Sequence, residues 1–225
     1  MHLLIFLIAN AVSAEPAANV ENQALAATLR IEGTDPKGNP VAGSGVAIAQ
    51  KDGYTYALTA QHVVDKLRRM DVLAKSGKEV VRFPIVEVLA RSVEPDLALI
   101  RFASKDSAIH CISLAGPSPK LREFPLAVMS SGWQEAERPT TIAEEAVARK
   151  LVRRPDGGSA FYWQTSKESD LGRSGGPLIT DSGELIGICS GNQGKLGYFT
   201  HRDEIHYFLR KQSSWSWLAL KGAQP

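Results

Sequence analysis

The sequence predicts an all-β chain with two β-rich halves, followed by one helix at the C-terminus. Three observations support this fold class. Short apolar runs recur along the chain, and residues 54–59 alternate large apolar with small or polar side chains, as a half-buried strand does. Turn-forming residues separate these runs, as at residues 35–40. Two prolines and a glycine within residues 115–120 divide the chain near its middle.

Predicted strands lie on both sides of this division. In the first half they cover residues 28–31, 45–49, 54–59, 80–83, 85–89 and 97–102, and in the second half residues 126–129, 146–152, 161–165, 177–180, 184–189 and 197–200. Residues 203–217 carry spaced apolar side chains, and Asp203 is a candidate N-cap. We therefore predict a terminal helix that packs on the second half.

The first 14 residues have the pattern of a secretory signal peptide. An apolar run at residues 3–9 is followed by small residues that end at Ala14. Because a membrane span needs about 20 apolar residues, we prefer a cleaved signal to an uncleaved anchor. Residues 15–24 lack clear periodicity and are predicted to be a flexible lead-in. We expect an ordered domain over residues 25–225, with halves at about 25–116 and 120–218, in a secreted or periplasmic protein.

The composition excludes several classes of partner. The 26 basic and 24 acidic residues are mixed along the chain and give a net charge of +2, so no nucleic-acid partner is expected. No other segment is long and apolar enough for a stable membrane span. The histidines show no metal-ligand spacing, and neither a metal nor an organic cofactor is implied. Cys111 and Cys189 are each predicted in a strand, as buried free thiols or, because secretion permits it, as a disulfide.

A serine in the run GRSGGP, residues 172–177, is the strongest candidate for a catalytic nucleophile. A serine hydroxyl needs a base to take its proton, a group that orients the base, and donors for the oxyanion. The glycines permit a tight turn that can direct the N–H groups of Gly172 and Ser174 at one point. Upstream, His62 follows one predicted strand and Asp96 precedes another.

The order His62, Asp96, Ser174 within two β-rich halves resembles the trypsin-like serine proteases. The resemblance extends from residues 43–46 to residues 197–200. It implies a chymotrypsin-like double barrel, that is, two six-stranded antiparallel β-barrels with a C-terminal α-helix. It also implies a serine endopeptidase that hydrolyses protein or peptide substrates through an acyl-enzyme intermediate.

Within that family the chain is most similar to the bacterial HtrA/Deg-like group, because the intervals between the three residues are short and cysteines are few. Only 51 residues follow Ser174, so we expect a relative without a PDZ domain. Digestive relatives have an acidic residue just before the nucleophile, which pairs with a freed N-terminus. Here that residue is Arg173, and we expect no such zymogen switch.

The resemblance also implies a role for each site residue. His62 is the base, Asp96 orients it, and the N–H groups of Gly172 and Ser174 form the oxyanion hole. Ser190 is expected to hydrogen-bond near Asp96. The residues expected to bind substrate around the S1 pocket are Glu168, Leu171, Ser190, Gly191, Asn192 and Gly197. Glu168 either binds a basic P1 side chain of the substrate or belongs to a surface loop.

Two other functions use the same residues. A catalytically silent pseudoprotease would use the double barrel as a binding module. An esterase of the α/β-hydrolase fold also has a Gly-x-Ser-x-Gly nucleophile elbow, but its base and acid follow the serine. Here His62 and Asp96 precede Ser174, and the upstream sequence lacks alternating strands and long helices. A peptidase is therefore the preferred interpretation.

Overall fold

The computed structural model describes residues 15–77, 79–84, 86–105, 107, 109–116, 124–134, 138–153 and 158–219. The predicted signal peptide, residues 1–14, lies outside the described residues, as does most of the predicted division at 115–120. Within the described part the protein is mainly β, with thirteen strands and a few short helices.

The first lobe is one antiparallel sheet of seven strands. The strands are β1 Thr28–Thr34, β2 Pro40–Lys51, β3 Tyr54–Thr59, β4 Arg69–Ser76, β5 Glu79–Pro84, β6 Glu87–Ser92 and β7 Leu97–Ala103. Their order in the sheet is β5-β4-β1-β2-β3-β7-β6. The prediction of a closed six-stranded barrel is wrong for this lobe. An additional strand, β4, pairs with β1 and β5, and the end strands β5 and β6 do not pair with each other in the described residues.

The second lobe is a closed six-stranded barrel, as predicted. Its strands are β8 Leu126–Gly132, β9 Thr140–Arg153, β10 Ser159–Thr165, β11 Pro177–Thr180, β12 Leu185–Gln193 and β13 Leu196–His201. They pair antiparallel in the order β10-β13-β12-β11-β8-β9. Trp163, Leu178 and Phe199 are buried inside this lobe. Burial of each such side chain contributes roughly 1.5 to 3 kcal/mol.

The N-terminal segment is helical, and the prediction of a flexible lead-in at residues 15–24 is wrong. Helix α1, Glu15–Ala27, buries Ala24 and Ala27 completely. The Thr28 hydroxyl that follows the helix contacts both the Ala24 carbonyl, at 2.7 Å, and Ser131 Oγ of the second lobe, at 2.8 Å. The sequence pattern missed this helix because its buried positions are alanines, which give little apolar periodicity.

The two lobes share one apolar core. Leu58 and Leu99 of the first lobe pack in the same cluster as Ile179 and Ile188 of the second. The C-terminal segment completes this cluster with Ile205, Phe208, Leu209 and Leu218. The lobes are therefore fixed against each other by buried surface as well as by hydrogen bonds.

The C-terminal segment contains two short helices instead of the single predicted helix. Helix α3 covers Arg202–Lys211 and a 3₁₀ helix covers Ser216–Ala219, while α2, Gln61–Asp65, lies in the first lobe. The N-cap of α3 is His201 rather than Asp203, because the His201 side chain accepts the Asp203 N–H at 3.1 Å. Gln212 is extended and two serines follow it, which ends the helix.

Neither Cys111 nor Cys189 forms a disulfide. Cys189 is buried in β12, and burial raises the pKa of its thiol to about 11. Cys111 is half-buried and lies outside the strands, so its predicted place in a strand is wrong. No helix in the described part of the chain has the length and apolarity to cross a membrane.

We predict that Leu218→Ala lowers the free energy of unfolding by about 2 to 5 kcal/mol, because it leaves a cavity in the shared core. Leu218 is 3% exposed, whereas Leu151 on β9 is 61% exposed and serves as the matched control. Leu151→Ala should change stability by about 0.5 kcal/mol or less. Urea titrations measure both values, and equal losses for the two variants would contradict this account of the core.

Candidate active site

His62 and Asp96 form a direct pair within the first lobe. Strand β3 ends at Thr59, and the short helix α2 begins at Gln61 and buries Val63 and Val64. This packing turns His62 toward the start of β7. His62 Nδ1 lies 2.8 Å from Asp96 Oδ2, and the His62 backbone N–H donates to Asp96 Oδ1 at 3.0 Å. Both carboxylate oxygens thus fix the position of the imidazole.

Asp96 has a backbone conformation that few residues adopt. Its φ is +53°, in the left-handed region, which aspartate tolerates better than most side chains. The Asp96 N–H closes a turn by donating to the Val93 carbonyl at 3.1 Å. The turn brings a carboxylate that is only 1% exposed to the boundary between the lobes.

Side chains of the second lobe hold this turn in place. Ser190 Oγ donates to Asp96 Oδ2 at 2.5 Å, the contact that was expected for Ser190. Thr200 Oγ1 donates to the Pro95 carbonyl at 2.5 Å, and the Tyr162 hydroxyl donates to the Glu94 carbonyl at 3.1 Å. The positions of Asp96 and His62 therefore depend on strands from both lobes.

The pKa of Asp96 lies below its ordinary value. Burial raises this pKa, but the hydrogen bonds and charge of His62, together with the Ser190 hydroxyl, outweigh burial and lower it. These contacts favour the ionised carboxylate. An ionised Asp96 can stabilise a positively charged imidazole.

The Ser174 loop, residues 172–176, is tied to both lobes. Gly172 and Gly175 have φ values of +87° and +88°, which favour glycine. A Cβ on Gly175 would lie 2.1 Å from the Ser44 carbonyl oxygen and 2.9 Å from the Ala60 nitrogen. Only a bare backbone can therefore approach the first lobe so closely.

Hydrogen bonds from strand β2 fix the same loop. The Ser44 N–H donates to the Ser174 carbonyl at 2.7 Å, and Ser44 Oγ donates to the Gly172 carbonyl at 2.8 Å. From the second lobe, the Cys189 carbonyl accepts the Gly175 N–H at 2.7 Å. These contacts orient the peptide units on either side of Ser174.

Two N–H groups of the Ser174 loop remain unbonded. The N–H groups of Arg173, Gly175 and Gly176 donate to backbone carbonyls at 2.7 to 3.2 Å. Among the described residues, neither the Gly172 N–H nor the Ser174 N–H donates a hydrogen bond. These are the two donors expected to bind an oxyanion, and no acceptor among the described residues occupies either of them.

Ser174 lies across one strand from the helix that carries His62. A Cβ on Gly43 of β2 would lie 2.7 Å from Val63 Cγ2 and 3.2 Å from the Ser174 carbonyl oxygen. Within the described part of the chain no hydrogen bond joins Ser174 Oγ to His62. Such bonds are often long before substrate binds. The structure thus brings His62 and Asp96 into contact and places the Ser174 backbone one strand away from the helix that carries His62.

The segment after Cys189 provides an open strand edge next to this site. Strand β12 pairs with β11 only as far as Ile188, and residues 191–193 pair with β13. Ser190, Gly191 and Asn192 also line a cavity of about 360 Å³. An extended peptide can add to such an edge through main-chain hydrogen bonds.

Asn192 connects two segments that were predicted to line the S1 pocket, the one from Glu168 to Leu171 and the one from Ser190 to Asn192. Its side-chain oxygen accepts the Ser169 N–H at 2.7 Å, and its amide nitrogen donates to the Ser169 carbonyl at 2.6 Å. Gly197 pairs with Asn192 in the adjacent strand. The side chain of Glu168 is exposed, and Leu171 is 93% exposed. This arrangement favours the interpretation of Glu168 as a surface-loop residue.

The burial of two charged residues, one in the Ser174 loop and one on β9, was not predicted from the sequence. Arg173 is 1% exposed, and Glu144 on β9 is also buried. The available signal was the alternation of β9, in which Glu144 occupies an inward position two residues before the buried Ala146. The described residues contain no cluster of three or more side chains suited to hold a metal ion.

A family model supports the interpretation of this geometry. The model described as "Trypsin-like peptidase domain" matches residues 43–188, which include His62, Asp96 and Ser174. This range covers more than half of the chain.

Curated relatives have similar sequences over part of their length. The chain is 27% identical over 199 residues to the mitochondrial serine protease HTRA2 of Bos taurus, with 83% of this chain and 41% of the relative covered. It is 31% identical over 148 residues to a probable periplasmic serine protease do/HhoA-like of Haemophilus influenzae, with 65% and 30% covered. The chain thus spans 30% to 41% of the length of these two relatives.

Solved structures share the fold. The active form of the Rv3671c protease from M. tuberculosis has a TM-score of 0.72 at 17% identity, and the match covers 94% of each chain. The structure of Deg5 has a TM-score of 0.69 at 20% identity, with 85% of this chain and 90% of that chain covered. These two structures show the fold alone. The family match over residues 43–188 shows that the chain belongs to the trypsin-like peptidase family.

Proposed function

We propose that the chain is a serine endopeptidase that uses Ser174 as nucleophile, His62 as general base and Asp96 as the group that orients the base. Two observations carry the proposal: the 2.8 Å His62–Asp96 contact, and the lack of any acceptor among the described residues for the Gly172 and Ser174 N–H groups. A protein or peptide substrate is proposed because the curated relatives are serine proteases.

The mechanism follows from the arrangement of these groups. His62 Nδ1 is held by Asp96, so Nε2 is the ring atom left to take the Ser174 proton as the hydroxyl oxygen attacks the peptide carbonyl. The negative charge on the carbonyl oxygen is then bound by the Gly172 and Ser174 N–H groups. His62 gives the proton to the leaving amine, and water releases the acyl group from Ser174 by the same steps in reverse order.

Several contacts support turnover over a silent binding module. A pseudoprotease has no need for a buried carboxylate that contacts both His62 and Ser190, nor for free N–H groups in the Ser174 loop. The esterase alternative requires an α/β-hydrolase fold. The described residues form a closed barrel and an open sheet, both antiparallel, which contradicts that fold.

We also propose a secreted or periplasmic location, with residues 1–14 as the signal peptide. Two bacterial relatives support this location by name: the probable periplasmic protease of Haemophilus influenzae and the periplasmic endoprotease DegQ of Escherichia coli. The presence of the processed protein in a periplasmic fraction, with mass spectrometry of its N-terminus, tests the location. An unprocessed protein in the cytoplasm would contradict it.

We predict that a fluorophosphonate probe labels the wild-type protein at Ser174. Ser174→Ala and His62→Ala should abolish labelling and lower peptide turnover on the order of a million-fold, because the nucleophile and its base act as a unit. Ser182→Ala removes a hydroxyl from an exposed turn and should keep full labelling. A well-folded wild-type protein that takes up no probe would overturn the proposed function.

We predict that Ser190→Ala destabilises the protein in a pH-dependent way. The folded pKa of Asp96 is lowered, so Asp96 adds stability above its unfolded pKa of about 3.9 and loses it as the pH falls through the folded pKa. Loss of the Ser190 hydrogen bond should cost about 1.5 to 3 kcal/mol at pH 6 and less below about pH 4. Urea titrations across this range measure the difference.

The control for this experiment is Ser216→Ala, which removes an exposed hydroxyl bonded to the Ser213 carbonyl. It should change stability little at any pH. A loss for Ser190→Ala that is independent of pH would show that the hydroxyl does not act through the Asp96 carboxylate.

We predict that Asn192→Gly widens the accepted range of P1 residues. The substitution deletes the amide that bridges the Ser169 N–H and carbonyl groups, so longer P1 side chains can enter between the two walls. Cleavage of a positional-scanning peptide library by both forms measures the change. An unchanged P1 profile would place the S1 pocket elsewhere.

A further inference from the structure

The residue next to the nucleophile is a buried arginine. The Arg173 side chain leaves the Ser174 loop and enters the barrel of the second lobe, where the residue is 1% exposed. A cation in such a place is costly unless it is paired and hydrogen-bonded. The residues around Arg173 therefore indicate the role of this buried charge.

Arg173 is bonded to the two strands that lie behind the loop. Nη1 donates to the carbonyl oxygen of Thr140 at 3.2 Å and to its hydroxyl at 3.0 Å, and Nη2 donates to Ser130 Oγ at 3.3 Å. A Cβ on Gly132 would lie 3.0 Å from Cβ and Cγ of Arg173. The side chain thus passes over Gly132 of β8, which has no side chain, to reach these partners.

Glu144 provides the opposite charge inside the same barrel. Its carboxylate faces inward from β9, and Oε2 has no hydrogen-bond partner among the described residues. Burial raises the pKa of Glu144, while the Ser130 and Thr165 hydroxyls and the charges of Arg173 and Lys167 oppose this rise. Ser130 accepts a hydrogen bond from Arg173, and in the register of β8 and β9 it lies two residues from the position opposite Glu144, on the same buried face. Its hydroxyl therefore lies between the two charges.

The position of Arg173 in the chain links its buried contacts to the active site. Arg173 stands between Gly172 and Ser174, whose N–H groups are the proposed oxyanion donors, and its own N–H donates to the Asp170 carbonyl at 3.2 Å. A side chain fixed inside the barrel therefore restricts the peptide units on both sides. Without that restriction either donor can rotate away from the substrate.

We propose that Arg173, Ser130 and Glu144 form an interior anchor that keeps the Gly172 and Ser174 N–H groups aligned for the oxyanion. All three are positioning residues, and the inference rests on the proposed function. Compared with the digestive relatives the charges are reversed: the cation is on the loop and the acid is on a barrel strand. The partner charge is part of the folded barrel, so alignment needs no freed N-terminus.

The test uses the full chain and four variants. Arg173→Met removes the buried cation, and Ser130→Ala removes the hydroxyl that accepts its hydrogen bond. Glu144→Gln removes the negative charge. The matched control is Ser131→Ala, which deletes an equally buried hydroxyl on the same strand whose partner is Thr28. For each we would measure kcat and KM for a peptide substrate and the inhibition constant of a peptide boronate. Circular dichroism checks folding.

If the anchor acts as proposed, its loss weakens binding of the transition state but not binding of the substrate. Arg173→Met should lower kcat and boronate affinity by about 100-fold or more, as loss of an oxyanion donor does. Ser130→Ala and Glu144→Gln should lower both by about 10-fold, with KM within twofold of wild type. The same peptide should bind equally well when each change is combined with Ser174→Ala. Ser131→Ala should leave kcat and boronate affinity near the wild-type values.

Two results would overturn the anchor while the proposed function stands. One is wild-type turnover in Ser130→Ala and Glu144→Gln. The other is an equal fall in boronate affinity and peptide binding, which indicates a general loss of structure. If Arg173→Met does not fold, the Ser130 and Glu144 variants decide the question. A wild-type protein without turnover or boronate binding would instead contradict the proposed function.

Discussion

The Asp96 carboxylate is the point where the two lobes depend on each other. One of its oxygens contacts both His62 of the first lobe and Ser190 of the second, and the other accepts the His62 N–H. The carboxylate is almost completely buried, so its charge is stable only while these donors stay in place. Movement of one lobe against the other would remove the Ser190 donor and leave only the His62 contacts. The site therefore forms only when both lobes are folded and docked.

The rest of the structure supports that docking. The shared apolar core joins the lobes at their centre, and the C-terminal segment covers it, with Trp215 and Trp217 each 5.4 Å from the Tyr56 ring. Helix α1 and Thr28 add a contact to the second lobe through Ser131. At the site itself, Ser44 of the first lobe bonds the Ser174 loop of the second. The Ser44 contacts thus contribute both to the geometry of the site and to the stability of the interface.

The sequence was sufficient for the features that depend on chain order and strand periodicity. It predicted the closed second barrel, the two β-rich lobes, and the approach of His62 to Asp96 and of Ser190 to Asp96. It failed where small or polar residues are buried. Helix α1 packs through alanines, and β4 has charged residues among its few apolar ones. Arg173 was read only as lacking an N-terminal partner, because the predicted strand began at residue 146 and left out Glu144, whose inward direction follows from the alternation of β9.

A crystal structure with a peptide aldehyde bound would show whether the Ser174 loop binds an oxyanion. We expect a hemiacetal on Ser174 Oγ, with its oxygen about 2.7 to 3.1 Å from the Gly172 and Ser174 nitrogens and His62 beside it. We also expect the Arg173 contacts with Thr140 and Ser130 to be unchanged. A covalent adduct whose oxygen points away from both N–H groups, or the absence of an adduct on Ser174, would contradict the account.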